Sequence, residues 1–141
     1  MKKSVLSVFS IAVLMIVTNL SQAAEVTLEA REGMSGSLRD GMRVATGSVV
    51  CRENHTGFQI KMNALPVDNS PGHYIVQGRR DKRHEMRVRL GGDGWSVSVA
   101  EGQEGVSRPG NGELVIFDVV VDGNQHVAPD EYVYSVSGKC L

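Results

Sequence analysis

The sequence predicts an all-β fold, a sandwich of two antiparallel sheets. Three observations carry this. Short stretches of alternating apolar and polar residues are separated by Gly-rich turns, and no segment holds a convincing helical period. The chain has only two cysteines, Cys51 and Cys140, far apart on strand-like segments behind an export signal, the pattern of a disulfide across a sandwich. A tyrosine, Tyr132, follows a turn and opens the last strand-like segment, which ends at Cys140.

The first segment reads as a secretory signal peptide, residues 1–23. Lys2 and Lys3 form a positive start, residues 5–17 are almost unbroken apolar, and Ser21-Gln22-Ala23 has the small-x-small pattern of a cleavage site. Thirteen helical residues reach about 20 Å, short of a hydrocarbon core about 30 Å thick. Cleavage after Ala23 leaves residues 24–141 as one domain, large enough for a core. Losing Lys2 and Lys3 turns 15 basic against 16 acidic residues into 13 against 16, too close to neutral for nucleic acid or an anionic membrane to be the general partner. The mature chain is expected in the periplasm or outside the cell.

The strands follow in order. Residues 25–31 alternate, with Val26, Leu28 and Ala30 on one face. A Gly-rich stretch leads to a strand over 43–52 that ends at Cys51. Residues 57–62 put Phe58, Ile60 and Met62 inward. Residues 73–77 and 85–90 form a hairpin joined by the charged run 79–83. The turn signal Gly91-Gly92-Asp93-Gly94 precedes a short strand at 95–99. Residues 113–121 are apolar on both faces, which predicts a central strand. Ala128-Pro129-Asp130-Glu131 reads as a turn, and residues 132–140 as the last strand, with Tyr132, Tyr134, Val136, Gly138 and Cys140 of one parity. The tyrosine at this corner is the mark of an immunoglobulin-like sandwich.

A Cys51–Cys140 bridge closes a loop of roughly ninety residues, worth about 4–5 kcal/mol in chain-entropy models. A redox or metal-binding thiol pair needs close spacing such as C-x-x-C, which is absent from the sequence. The four histidines, His55, His73, His84 and His126, lie on different segments without metal-site spacing, no serine stands in a G-x-S-x-G context, and the Gly91–Gly94 run lacks the Lys-Ser/Thr of a phosphate loop. Neither enzyme activity, metal nor cofactor is expected.

One charged feature stands out. Arg79, Arg80, Lys82, Arg83, Arg87 and Arg89 place six cations within eleven positions of a chain whose net charge is negative. They form a candidate host-facing patch for an acidic surface, a sulfated glycan or an acidic stretch of a cell-surface or matrix protein. The alternative is a solvated hairpin whose charges discourage edge pairing.

Several runs in matching order carry a family resemblance: Leu38-Arg39-Asp40-Gly41, Val44-Ala45-Thr46-Gly47, Cys51-Arg52-Glu53 and His55-Thr56-Gly57-Phe58. Gly91-Gly92-Asp93-Gly94-Trp95, Gly105-Val106-Ser107-Arg108-Pro109-Gly110, Phe117-Asp118-Val119, Asp122-Gly123-Asn124-Gln125 and Gly138-Lys139-Cys140 continue the series. Together they resemble the AfaD/DraD-type invasins, minor tip subunits of Afa/Dr and aggregative adherence fimbriae assembled by the chaperone/usher route.

The resemblance implies an incomplete immunoglobulin-like sandwich lacking its final strand. That strand is donated first by a periplasmic chaperone, at an outer-membrane usher, and then by the major fimbrial subunit. Alternation starts at Val26, with no donor extension before it, so the chain is expected to accept a strand without giving one, at the fimbrial tip. Strand parity predicts a donor groove lined by Val26, Leu28, Tyr132, Tyr134 and Val136. An isolated chain is expected to aggregate or to swap strands into a homodimer. The family further implies adhesion to, or invasion of, host cells. Two other readings remain: a fimbrial cap or assembly initiator without a receptor, and a self-contained secreted binding domain.

Overall fold

A computed structural model of the chain describes residues 23–97 and 105–141. Residues 1–22 of the expected signal segment and residues 98–99 of the strand expected at 95–99 lie outside the described residues. Among the described residues the chain forms strands and no helix: β1 (Glu25–Ala30), β2 (Met34–Leu38), β3 (Arg43–Val50), β4 (Gly57–Met62), β5 (Leu65–Pro66) and β6 (His73–Gln77). They continue with β7 (Glu85–Gly91), β8 (Ser96–Val97), β9 (Val106–Pro109), β10 (Leu114–Val121), β11 (Gln125–Asp130) and β12 (Val136–Cys140).

The strands build a six-stranded sheet in the order β1-β3-β10-β7-β6-β5, a four-stranded sheet β12-β4-β9-β8, and a pair β11-β2. Inward residues of the two larger sheets interdigitate as period-2 patterning requires. Val44, Val49, Met86, Val88, Phe117, Val119 and Val121 come from the first sheet, Phe58, Ile60 and Val106 from the second. Val127 and Leu38 of the small pair close one end of the core. Cys51 and Cys140 are bonded, with Cα atoms 5.9 Å apart and 89 positions between them in sequence. The fold is an immunoglobulin-like β-sandwich with one disulfide.

Several elements differ from expectation. The Gly-rich stretch after β1 contains β2, and the expected turn at 128–131 is mostly the end of β11. Gly36 and Ser residues give β2 little strand propensity, and Pro129 cannot donate to a ladder. Their pairing is a tertiary result, irregular between Val127 and Asp130. β9 was likewise not expected as a strand; its partners β4 and β8 supply its ladder. The last strand starts at Val136, not Tyr132, because the chain first crosses between sheets: Tyr132 bridges Gly78 of the six-stranded sheet, and only from Val136 does it pair with β4. β3 stops at Val50, before Cys51. β10 is central, between β3 and β7, but Leu114 and Ile116 on its outer side stay about half exposed, since a two-layer sandwich covers one face only. Ala30 is exposed at the end of β1, where only β3 lies beside it.

Candidate functional site

β1 and β12 are the two edges that matter. β1 pairs with β3 on one side and β12 with β4 on one side. At one end they meet: Ala23 bridges Lys139, and the Ala24 N–H donates to the Gly138 carbonyl at 3.3 Å. Beyond Ala24 the edges separate, because β1 follows β3 into the other sheet.

Hydrogen-bond alternation shows what these edges offer. The Arg31 N–H donates to Val44 O on β3, so odd-numbered residues of β1 bond to β3 and the main-chain groups of Val26, Leu28 and Ala30 face the gap. On β12, Asn63 N–H donates to Ser135 O and Leu141 N–H to Gly57 O. The main-chain groups of Tyr134 and Val136 therefore also face the gap. No ladder partner occupies it between Val26 and Val136 among the described residues. Val26, Leu28 and Val136 are half-buried against the core, while Tyr132 and Tyr134 are buried at its margin. Val26 and Leu28 on one edge and Tyr134 and Val136 on the other flank the gap, whereas Tyr132, also expected in the groove, lies in the crossing between the sheets at its bridge to Gly78.

The corner that precedes β12 is held by two devices. Tyr132 Oη donates to the Ala128 carbonyl at 2.6 Å, four residues back, which is tyrosine-corner geometry. Burial raises the pKa of Tyr134, next to it, to about 12, so it stays a neutral phenol. Asp130 turns its carboxylate into the 78–84 turn, accepting from the N–H groups of Arg80 (2.9 Å), Asp81 (3.1 Å) and Glu131 (2.7 Å), with His84 Nδ1 at 2.9 Å. Burial alone would raise the pKa of Asp130, yet these hydrogen bonds outweigh it and hold the group well below the usual carboxylate range. Gly78 makes the approach possible, since a Cβ there would meet Asp130 Oδ2 at 2.2 Å. Sequence reasoning treated Asp130 as a turn residue only; its role depends on a contact about fifty positions away.

The basic run is not one uniform patch. Arg83 lies along Asp81, 2.8 Å from Nη2 to Oδ2, and that hydrogen bond with the Arg83 N–H lowers the Asp81 pKa to about 2. Arg89 Nη1 is held by Asp40 at 2.7 Å and Asp122 at 3.1 Å. Arg80 is 3.7 Å from Glu131. Arg79, Lys82 and Arg87 are exposed and have no ionic partner among the described residues. Of the histidines, His73 sits 2.7 Å from Asp122, and His55 lies between the carbonyls of Glu53 and Gly112. No group of three or more His, Cys, Asp or Glu able to hold a metal occurs among the described residues.

The family model described as Enterobacteria AfaD invasin protein matches residues 34–138, most of the sandwich. The chain belongs to the AfaD invasin family. Protein AfaD of Escherichia coli is 56% identical over 128 residues, covering 91% of this chain and 86% of AfaD. The solved HdaB, minor tip subunit of the Escherichia coli Hda pilus, is 41% identical with a TM-score of 0.77, covering 84% of this chain and 82% of that one. A further structure, from work on fibronectin binding and biofilm formation by AAF fimbriae of enteroaggregative Escherichia coli, is 52% identical with a TM-score of 0.76 and covers 84% and 85% of the two chains. The relatives of this AfaD-family chain are fimbrial subunits, and the gap between β1 and β12 lies in a sandwich of the same shape.

Proposed function

We propose that this AfaD-family chain is a minor fimbrial tip subunit whose sandwich is completed by a strand donated from another protein. One observation carries the reading: two facing edges, β1 and β12, turn main-chain donors and acceptors and the apolar Val26, Leu28, Tyr134 and Val136 toward a gap that no described strand fills. Main-chain hydrogen bonds to those edges supply affinity, and alternate apolar side chains of the incoming strand reach the core. A periplasmic chaperone holds the gap first, at the outer-membrane usher, and the major fimbrial subunit replaces it. The chain thereby passes through the periplasm, after loss of residues 1–23, to the fimbrial tip. Without a donor it aggregates or exchanges strands with a second copy.

The test is thermal unfolding of the mature chain, alone and with a peptide matching the N-terminal extension of the major fimbrial subunit. A strand that binds only the folded state raises the melting temperature in step with its affinity. A large rise, with conversion of aggregate or dimer to monomer, is expected. A stable monomer indifferent to the peptide would mean that the sandwich is complete without a donor.

At the tip the chain contributes to host-cell adhesion or invasion through Arg79, Arg80, Lys82, Arg83, Arg87 and Arg89, facing an acidic stretch of a cell-surface or matrix protein. The unpartnered Arg79, Lys82 and Arg87 support this, as does the fibronectin binding ascribed to the AAF fimbriae of a 52% identical relative. Charge reversal at these three positions is expected to weaken cell binding and flatten its salt dependence. Unchanged binding would move the contact elsewhere.

A further inference from the structure

Two chain crossings leave a notch in the side of the sandwich. After β4 the chain reaches β5 through Asn63 and Ala64, and before β12 it returns from Tyr132 through residues 133–135. Between these crossings lies a cleft of about 630 Å³ whose walls include Leu65, Ile75, Gln77, Arg79, Lys82 and Val133. It is separate from the donor gap: Tyr132 and Tyr134 are buried toward the core, whereas Val133 and Ser135 between and after them point outward.

Three features meet in the notch. The first is an interrupted edge. β5 covers β6 only at Tyr74 and Ile75, and the chain does not rejoin that edge until Gly78 bridges Tyr132 and Arg79 N–H donates to Glu131 O at 2.8 Å. Gly78 N–H donates the other way, to His84 O, so the main chain of Gln77 is turned toward the notch, where the Gly78–Tyr132 bridge sets its C=O opposite the Val133 N–H and leaves its N–H on the notch side. The second is apolar: Leu65 is 52% and Val133 57% exposed, on either side of that gap. The third is charge, since Arg79 and Lys82 line the notch without an ionic partner among the described residues, while Arg80, Arg83 and Arg89 are engaged.

We infer that this notch docks an extended acidic peptide segment of a protein partner. A main-chain carbonyl of the segment accepts from the Gln77 N–H, an apolar side chain rests between Leu65, Ile75 and Val133, and neighbouring carboxylates meet Arg79 and Lys82. The inference rests on the host contact proposed above and sharpens it, because it selects two of the six cations and assigns the partner's chemistry. A sulfated glycan would use the same cations but leave the apolar walls and the Gln77 main chain idle.

The experiment titrates the ¹⁵N-labelled mature chain, its donor gap first filled with the major-subunit extension peptide, with a peptide of alternating valine and aspartate, with the same peptide carrying lysine for aspartate, and with a heparin hexasaccharide. The expected result is amide shifts centred on Gln77, Arg79 and Val133 with the acidic peptide alone, weakened at least tenfold by R79E/K82E and by V133E. L65S supplies an independent apolar variant, and an unchanged melting temperature confirms each variant's fold. Shifts elsewhere, no shifts at millimolar peptide, or heparin binding that ignores V133E and L65S would overturn the inference. Binding of the chain to host cells runs in parallel. Cell binding that survives R79E/K82E and V133E would leave a host contact elsewhere and sink the notch. If the wild-type chain binds no cells, the host contact itself falls, and the peptide titration alone decides whether the notch recognises acidic segments.

Discussion

Val26 occupies the space that a side chain at Gly138 would fill: a Cβ built on Gly138 would lie 2.7 Å from Val26 Cγ2 and 3.3 Å from Ala24 Cβ. The missing side chain lets the start of β1 close onto β12, so the gap between the two edges is shut at Ala24 and open beyond it. One glycine therefore sets where the gap closes.

Gly138→Ala should push Val26 aside at this closed end. Overpacking of this kind costs about 1–3 kcal/mol. A chemical denaturation midpoint would show it, and V26A in the same chain should recover part of the loss, because it returns the space. Equal and additive losses from the two substitutions would mean that the contact is not the cause.

The disulfide should carry a large share of the stability. It closes a loop of 89 positions between the end of β3 and the end of β12, for which chain-entropy models give about 4–5 kcal/mol. C51A/C140A should lower the unfolding free energy by an amount of that order while leaving the strand content seen by circular dichroism. A loss below about 1 kcal/mol would contradict the loop argument.

Tyr132→Phe removes the hydrogen bond to Ala128 O and keeps the ring in the core. A single such bond contributes about 0.5–1.5 kcal/mol net. The expected change is a modest fall in melting temperature with no change in donor-peptide affinity. If donor affinity fell as well, the corner would be shaping the groove rather than only anchoring it.

Asp130 predicts an acid limb. Its folded-state pKa lies below that of the unfolded chain, so its contribution is fully present above the unfolded value of about 3.9 and is lost as pH falls toward the folded value. Asp81, held down by Arg83, and Asp40, held down by the Gly123 N–H and then Arg89, act in the same direction. Melting temperature should therefore decline from pH 4 to pH 2. D130N, which sets an amide against donors that a carboxylate satisfies, should be less stable at pH 7 and show a shallower decline. A D130N curve parallel to wild type would remove Asp130 from the account.

Much of the sandwich was legible in the residues because alternation is local. Phe58, Ile60 and Met62 read as inward from six consecutive positions, and they are buried. The apolar run of 113–121 read as central, and β10 has strands on both sides. The two cysteines and the corner tyrosine declared their pairing and the fold class by their spacing, and parity set Val26 with Leu28 on one strand and Tyr134 with Val136 on another segment. What parity could not say was which edges stay open, since an edge is defined by the strand that is not beside it. Only the packed sheets placed β1 opposite β12 with a gap between, recruited the Gly- and Pro-bearing β2 and β11 as partners, and divided the basic run into engaged and unpartnered cations. Arg89 is quiet because Asp40 and Asp122, 49 and 33 positions away, close on it. Arg79 and Lys82 stay exposed, and among the described residues no comparable carboxylate reaches them. Alternation records which way a side chain points; the distance between two edges, or between two charges, depends on contacts that form only when remote segments pack.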